Sequence, residues 1–163
     1  MKNKHKGFSM IELIIAIAII GIFTGLGSIS FGYIRAGNVR SATKTVDSNL
    51  SRLRLDTMSK ASKPYMYLYK LGNDYYMYCT NSTSVDTSVA NGTKIANDSI
   101  MIKVDGVPLS SANSPCKIGF QKGSGAFLSG TPQKISFSDS DGQGTIYDLI
   151  IVNETGKHYI KTS

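Results

Sequence analysis

The chain of 163 residues has no tryptophan, two cysteines, two histidines and four prolines. Two cysteines exclude a disulfide-dense mini-protein, and Cys79 with Cys116 cannot make a four-cysteine zinc site. His5 and His158 leave little for histidine-based metal or acid–base chemistry. No G-x-S-x-G, no P-loop and no C-x-x-C occurs. These absences disfavour an enzyme, and they imply no cofactor. Charge is sparse as well: charged residues are 18%, with Lys+Arg 18 against Asp+Glu 11 and a formal charge of +7. That is no polybasic tail. A hydrophobic content of 41% excludes a wholly disordered chain. The length suits one ordinary domain with a single core.

What is present is unevenly placed. Residues 1–7 form a short basic leader with Lys2, Lys4 and Lys6. From Phe8 to Ile34 the only charge is Glu12, and Arg35 ends the run. Leu13 to Ile34 would be ~33 Å long as a helix, enough for a hydrocarbon core of ~30 Å. A secretory signal peptide, a plain signal anchor and a prepilin leader fused to its own membrane helix compete for this pattern. Glu12 separates them. A carboxylate costs roughly 2.5–3.5 kcal/mol at mid-membrane and less near an interface, and an ordinary signal peptide gains nothing from it. The apolar run also exceeds the roughly 7–15 residues usual in the core of a signal peptide.

Lys6-Gly7-Phe8-Ser9-Met10-Ile11-Glu12-Leu13 resembles the leader junction of type IV pilins and of type II secretion pseudopilins. In that family a membrane aspartyl peptidase cuts after the glycine and methylates the new N-terminal amine. The resemblance implies that Gly7–Phe8 is the scissile bond, that Phe8 becomes the methylated first residue, and that Glu12 becomes its fifth. It also implies the type IV pilin fold, with prepilin peptidase, other pilin or pseudopilin subunits and the cytoplasmic membrane as partners. Many pilins kink the helix with a proline where this chain has Ile29; Gly25, Gly27 and Gly32 could loosen it instead.

The chemistry of the pattern agrees. Glycine before the cut leaves an extended backbone unobstructed. Cleavage removes Lys2, Lys4 and Lys6, which lowers Lys+Arg from 18 to 15 and the formal charge from +7 to +4. In a bundle of such helices, Glu12 of one copy can neutralise the Phe8 amine of another, offsetting the desolvation of both. Flanking charge alone does not orient the helix, because Arg35, Arg40 and Lys44 balance the leader lysines. The leader motif places the C-terminus outside.

Beyond the apolar run, Val39, Val46 and Leu53 recur every seven residues, with Ala42, Leu50 and Thr57 in the same stripe. That is an amphipathic helix with an apolar seam, ended near Lys60 by Pro64. The period then alternates. Tyr65–Tyr69 and Tyr75–Cys79 read as a hairpin around Gly72-Asn73-Asp74, and residues 80–99 as a long surface excursion. Further strands are expected at 100–104, 117–120, 126–128, 134–138, 146–152 and 157–161. The expected fold is α+β: a long N-terminal helix, membrane-spanning in its first half (Leu13 to Ile34) and amphipathic in its second, packed on an antiparallel β-sheet head with strands following in series. The expected divisions are leader 1–7, assembly helix 8–34, amphipathic helix 35–62 and head 63–163. The strand-and-turn pattern of the C-terminal third is similar to GspH/FimT-type minor pseudopilins.

Three further features need a reading. Cys79 and Cys116 lie in an exported domain where thiols oxidise, so a disulfide is expected over two free thiols. Asp139 and Asp141 offer oxygens in a tight turn; a calcium loop wants more acids, so a solvated turn is the favoured reading over a metal. Six of the nine tyrosines fall within residues 65–78 and read as cross-strand packing, the sharper alternative being an exposed contact face. The function expected is a structural subunit, of the minor kind, of a type IV pilus or type II secretion-like pseudopilus. It starts in the cytoplasmic membrane as a single-pass protein and ends in an extracellular pilus or a periplasmic or cell-wall pseudopilus. The alternative is a competence-type DNA-uptake subunit, although Lys157, His158 and Lys161 fall short of a basic stripe and nucleic acid is disfavoured. The distant alternative is a membrane-anchored exported enzyme, which would need a cleft gathering His158 with acids.

Overall fold

A computed structural model describes residues 9–59, 62–111, 115–142 and 144–163, with side chains for all of these except 25–34. Helix α1 runs Met10–Ser59. Pro64 sits just beyond, unable to donate a backbone hydrogen bond and unfavourable to helix in the residue before it. The expected helix end at Lys60 lies outside the described residues. The chain divides into two units, Met1–Ile34 and Arg35–Ser163.

In the first unit every described side chain of α1 is exposed, including Ile11, Leu13, Ile14, Ile17, Ile20 and Phe23. Among the described residues no helix is long and apolar enough to cross a membrane. The last ten residues of the expected span Leu13 to Ile34 lie outside the described side chains.

In the second unit the stripe is buried as its spacing requires: Val39, Ala42, Val46, Leu50, Leu53 and Thr57 are all at most 4% exposed. The two buried threonines of this helix satisfy their own hydroxyls, Thr43 on the Val39 carbonyl at 2.9 Å and Thr57 on the Leu53 carbonyl at 2.8 Å. Among the described residues nine strands follow: β1 Tyr65–Leu71, β2 Asp74–Thr80, β3 Thr93–Asn97, β4 Ile100–Val104, β5 Val107–Pro108, β6 Cys116–Gly119, β7 Lys134–Asp139, β8 Tyr147–Val152 and β9 Lys157–Thr162. They form two antiparallel sheets rather than one sheet in series, with orders β3-β2-β1-β6 and β5-β4-β7-β8-β9. The reason is β6, which returns to pair with β1 across the register Met66↔Ile118 instead of extending the local series.

Alternation sets which side chains each sheet turns inward. Met66, Leu68, Met77 and Ile118 from the first sheet join Ile102, Ile135, Phe137, Leu149 and Ile151 from the second in one core with the α1 stripe. Three local expectations change. The excursion 80–99 contains β3, whose single buried apolar residue, Ala96, gives little sequence signal. The strand expected at 126–128 is an isolated bridge between Phe120 and Phe127. Asp105 and Gly106, both at positive φ (49° and 86°), make the turn that creates β5.

Candidate functional site

Lys2, Lys4, Lys6, Gly7 and Phe8 lie outside the described residues. Just after them the chain builds a helix start. The Ser9 N–H donates to Glu12 Oε2 at 2.9 Å, and the Glu12 N–H donates to Ser9 Oγ at 3.3 Å. The Leu13 N–H, donating to the Ser9 carbonyl at 3.3 Å, makes the first turn. This is a reciprocal capping box, in which a Ser-x-x-Glu sequence satisfies two backbone donors that the helix leaves open. The sequence reading singled out Glu12 for its charge and missed Ser9, although S-x-x-E before an apolar run was the available signal. Around the box, Met10 and Ile11 are 85% and 66% exposed, so the carboxylate sits at the tip of an uncovered apolar surface.

Asp139 and Asp141, the calcium candidates, face a guanidinium. Arg35 Nη1 lies 2.8 Å from Asp141 Oδ2 and 3.6 Å from Asp139 Oδ2. The hydrogen bond from Arg35 to Asp141, and then the charge of Asp139, push the Arg35 pKa up. A side-chain cation therefore already answers these two acids, and among the described residues no group of three or more metal-ligating side chains gathers.

The expected Cys79–Cys116 disulfide is not formed; both are free thiols. Cys79 on β2 lies opposite Met66, and Cys116 on β6 lies opposite Leu68, so β1 stands between them. Two strand spacings of about 4.8 Å already exceed the ~7 Å limit between bridged Cα atoms. Burial pushes the Cys116 thiol up to about 12, with the Asp105 charge adding to it. Burial raises Cys79 as well, against the opposing charge of Arg52.

Three of the six tyrosines, Tyr67, Tyr69 and Tyr75, are buried, and Tyr65, Tyr76 and Tyr78 are half-buried. Tyr67 and Tyr69 are both 2% exposed on the outer face of the first sheet. The segment from Ser82 to Asn91 lies over them: the Tyr67 hydroxyl donates to the Ser82 carbonyl at 3.1 Å. The Tyr69 hydroxyl donates to the Asn91 carbonyl at 2.7 Å and accepts the Asn91 N–H at 2.8 Å. Tyr76 stacks on Tyr69 at 5.7 Å.

Strand register gathers basic residues that are scattered in sequence. Lys103, Ser136, Asp148 and Lys161 stand in one row across β4, β7, β8 and β9, and Lys134, Ile150 and Tyr159 in the next. With Lys157 opposite Val152, four lysines share the face turned away from Leu149 and Ile151. Lys103 and Lys134 could not be joined to Lys157 and Lys161 without that register. Lys134 Nζ is 3.8 Å from Asp148 Oδ2.

His158 does meet an acid. Its Nε2 is 3.0 Å from Ser51 Oγ and 3.6 Å from Asp47 Oδ1, while Nδ1 is buried with no hydrogen-bond partner among the described residues. A serine–histidine–acid relay needs serine and acid on opposite ring nitrogens. Here both face the same nitrogen, on a side chain only 8% exposed, so the group fastens α1 to β9.

No curated protein and no solved structure matches the chain. Residues 2–28 match the family described as the prokaryotic N-terminal methylation motif, so the chain carries the leader of type IV pilin-like proteins, the kind that prepilin peptidase processes.

Proposed function

We propose that the chain is a structural subunit, of the minor kind, of a type IV pilus or a type II secretion-like pseudopilus. In this reading residues 1–7 are the leader, the Gly7–Phe8 bond is cut by prepilin peptidase, and the Phe8 amine is methylated. Residues 8–34 hold the subunit in the cytoplasmic membrane with its C-terminus outside and later pack among other subunits. Residues 35–62 complete the helix and 63–163 the head. The observation that carries the reading is the methylation motif at residues 2–28. The uncovered apolar side chains that follow Glu12 and the buried stripe of residues 39–57 support it. Mass spectrometry of membrane-extracted protein is expected to find N-methylated Phe8 as the first residue. Gly7→Val is expected to leave full-length chain in the membrane and none in filaments. A wild-type N-terminus other than Phe8 overturns the assignment.

The lysine face of the second sheet favours one further reading, a DNA-uptake subunit. It expects the protein in detergent to be retained on DNA, with retention falling as salt rises and lost in Lys103→Glu/Lys161→Glu. Retention that the two substitutions leave intact removes this reading.

A further inference from the structure

We infer that the head carries a groove for a neutral oligosaccharide, running along residues 128–133 from the first sheet to the second. Two cavities flank this segment and share Gly130 and Thr131 in their walls. One, of about 470 Å³, opens beside Tyr65 and Leu128; the other, of about 740 Å³, opens beside Asp105, Gln133, Lys134 and Asn153. Both volumes suit a small-molecule site, for which roughly 300–1,000 Å³ is usual. The segment between them is already fixed, so a ligand need not order it. The Leu128 N–H donates to the Gly119 carbonyl, the Ile151 N–H to the Gln133 carbonyl and the Asp105 N–H to the Lys134 carbonyl, all at 2.8 Å. The lining supplies what a sugar ring needs, apolar surface for its C–H faces and side-chain partners for its hydroxyls. Tyr65 and Leu128 close over Gly119, where a Cβ would lie 2.8 Å from each, and form the apolar wall. Asp105 Oδ1 accepts the Gln133 and Lys134 N–H groups at 2.9 and 2.8 Å, which holds its carboxylate in place beside Gln133. Asn153 has a buried Oδ1 with no hydrogen-bond partner among the described residues, an acceptor that a ligand hydroxyl would satisfy. The charges argue for a neutral ligand. Lys117 Nζ stands 4.1 Å from the Tyr65 ring centroid and donates to the Thr83 carbonyl, and Lys134 Nζ stands 3.8 Å from Asp148 Oδ2. Both cations are thus answered within the head, and Asp105 would repel a phosphate strand.

The groove goes beyond the function proposed above, and its failure would leave that function standing. Full-length protein, in a detergent without a sugar headgroup, is titrated with cellotetraose and with maltotetraose and followed by its backbone amide resonances. At least one of the two is expected to give saturable shifts at Ser129, Gly130, Thr131 and Gln133. Gln133→Ala removes an exposed side chain and should weaken binding about fivefold, the scale of one lost hydrogen bond. Tyr65→Ala should weaken it at least as much and Tyr65→Phe should bind as wild type does, with the amide spectrum of each variant checking its fold. Lys103→Glu/Lys161→Glu should leave the affinity unchanged, and excess duplex DNA should not displace the sugar. Overturning results are no saturable shift from either sugar, shifts that map elsewhere, or an affinity that Gln133→Ala and Tyr65→Ala leave intact. Displacement by DNA also overturns the inference and gives the groove to nucleic acid.

Discussion

Gly156→Ala is expected to destabilise the protein by about 3–5 kcal/mol, a large share of the roughly 5–15 kcal/mol that holds a typical domain. Gly156 has φ +68°, where a Cβ costs about 1–2 kcal/mol, and that Cβ would collide with the Gly125 carbonyl oxygen. Gly125, itself at φ +65°, stands against α1, with Met58 Sδ and Arg54 Nε 2.7 and 3.0 Å from where a Cβ on it would lie. The same carbonyl accepts Arg54 Nε at 3.0 Å, while Arg54 Nη2 donates to the Thr155 carbonyl at 3.0 Å. One arginine of α1 thereby ties two turns together, and the collision would break the tie as well as strain the backbone. Urea unfolding of the full-length protein in detergent measures the effect. Gly123→Ala, with nothing within 4 Å of its added Cβ, is the control and should stay within ~0.5 kcal/mol of wild type. A Gly156→Ala midpoint equal to wild type would mean that the two turns do not meet as described.

Periodicity made the helix and most strands legible. The stripe from Val39 to Thr57 is a 3.6-residue pattern, and only one face of a helix can be buried by it. The Tyr65–Tyr69 and Tyr75–Cys79 runs flank a Gly-Asn turn, so the hairpin followed from local chemistry alone. Non-local pairing was hidden. Nothing near Cys116 announces that its strand returns beside β1, and that pairing alone keeps Cys79 and Cys116 apart. Arg54, Gly125 and Gly156 lie far apart in sequence, so their meeting is a property of the folded head. The lysine face is hidden for the same reason. At the N-terminus the balance reverses: Glu12 stood out because a charge in an apolar run is costly. Ser9 drew no notice, although the two form one local motif.

The most direct measurement is the ratio of filament to membrane-pool protein for wild type, Glu12→Gln and Glu12→Asp, with cleavage checked separately. Glu12→Gln preserves shape and hydrogen bonding, so processing and insertion should survive. Incorporation should fall, because a Phe8 amine would then enter the helix bundle without a counter-charge. Breaking such a buried pair costs about 3–5 kcal/mol, equivalent to a fall of roughly a hundredfold or more. Glu12→Asp keeps the charge but shortens its reach, so it should fall between the two. A strong loss for Gln with an intermediate Asp is the result this account predicts; equal ratios for all three would contradict it.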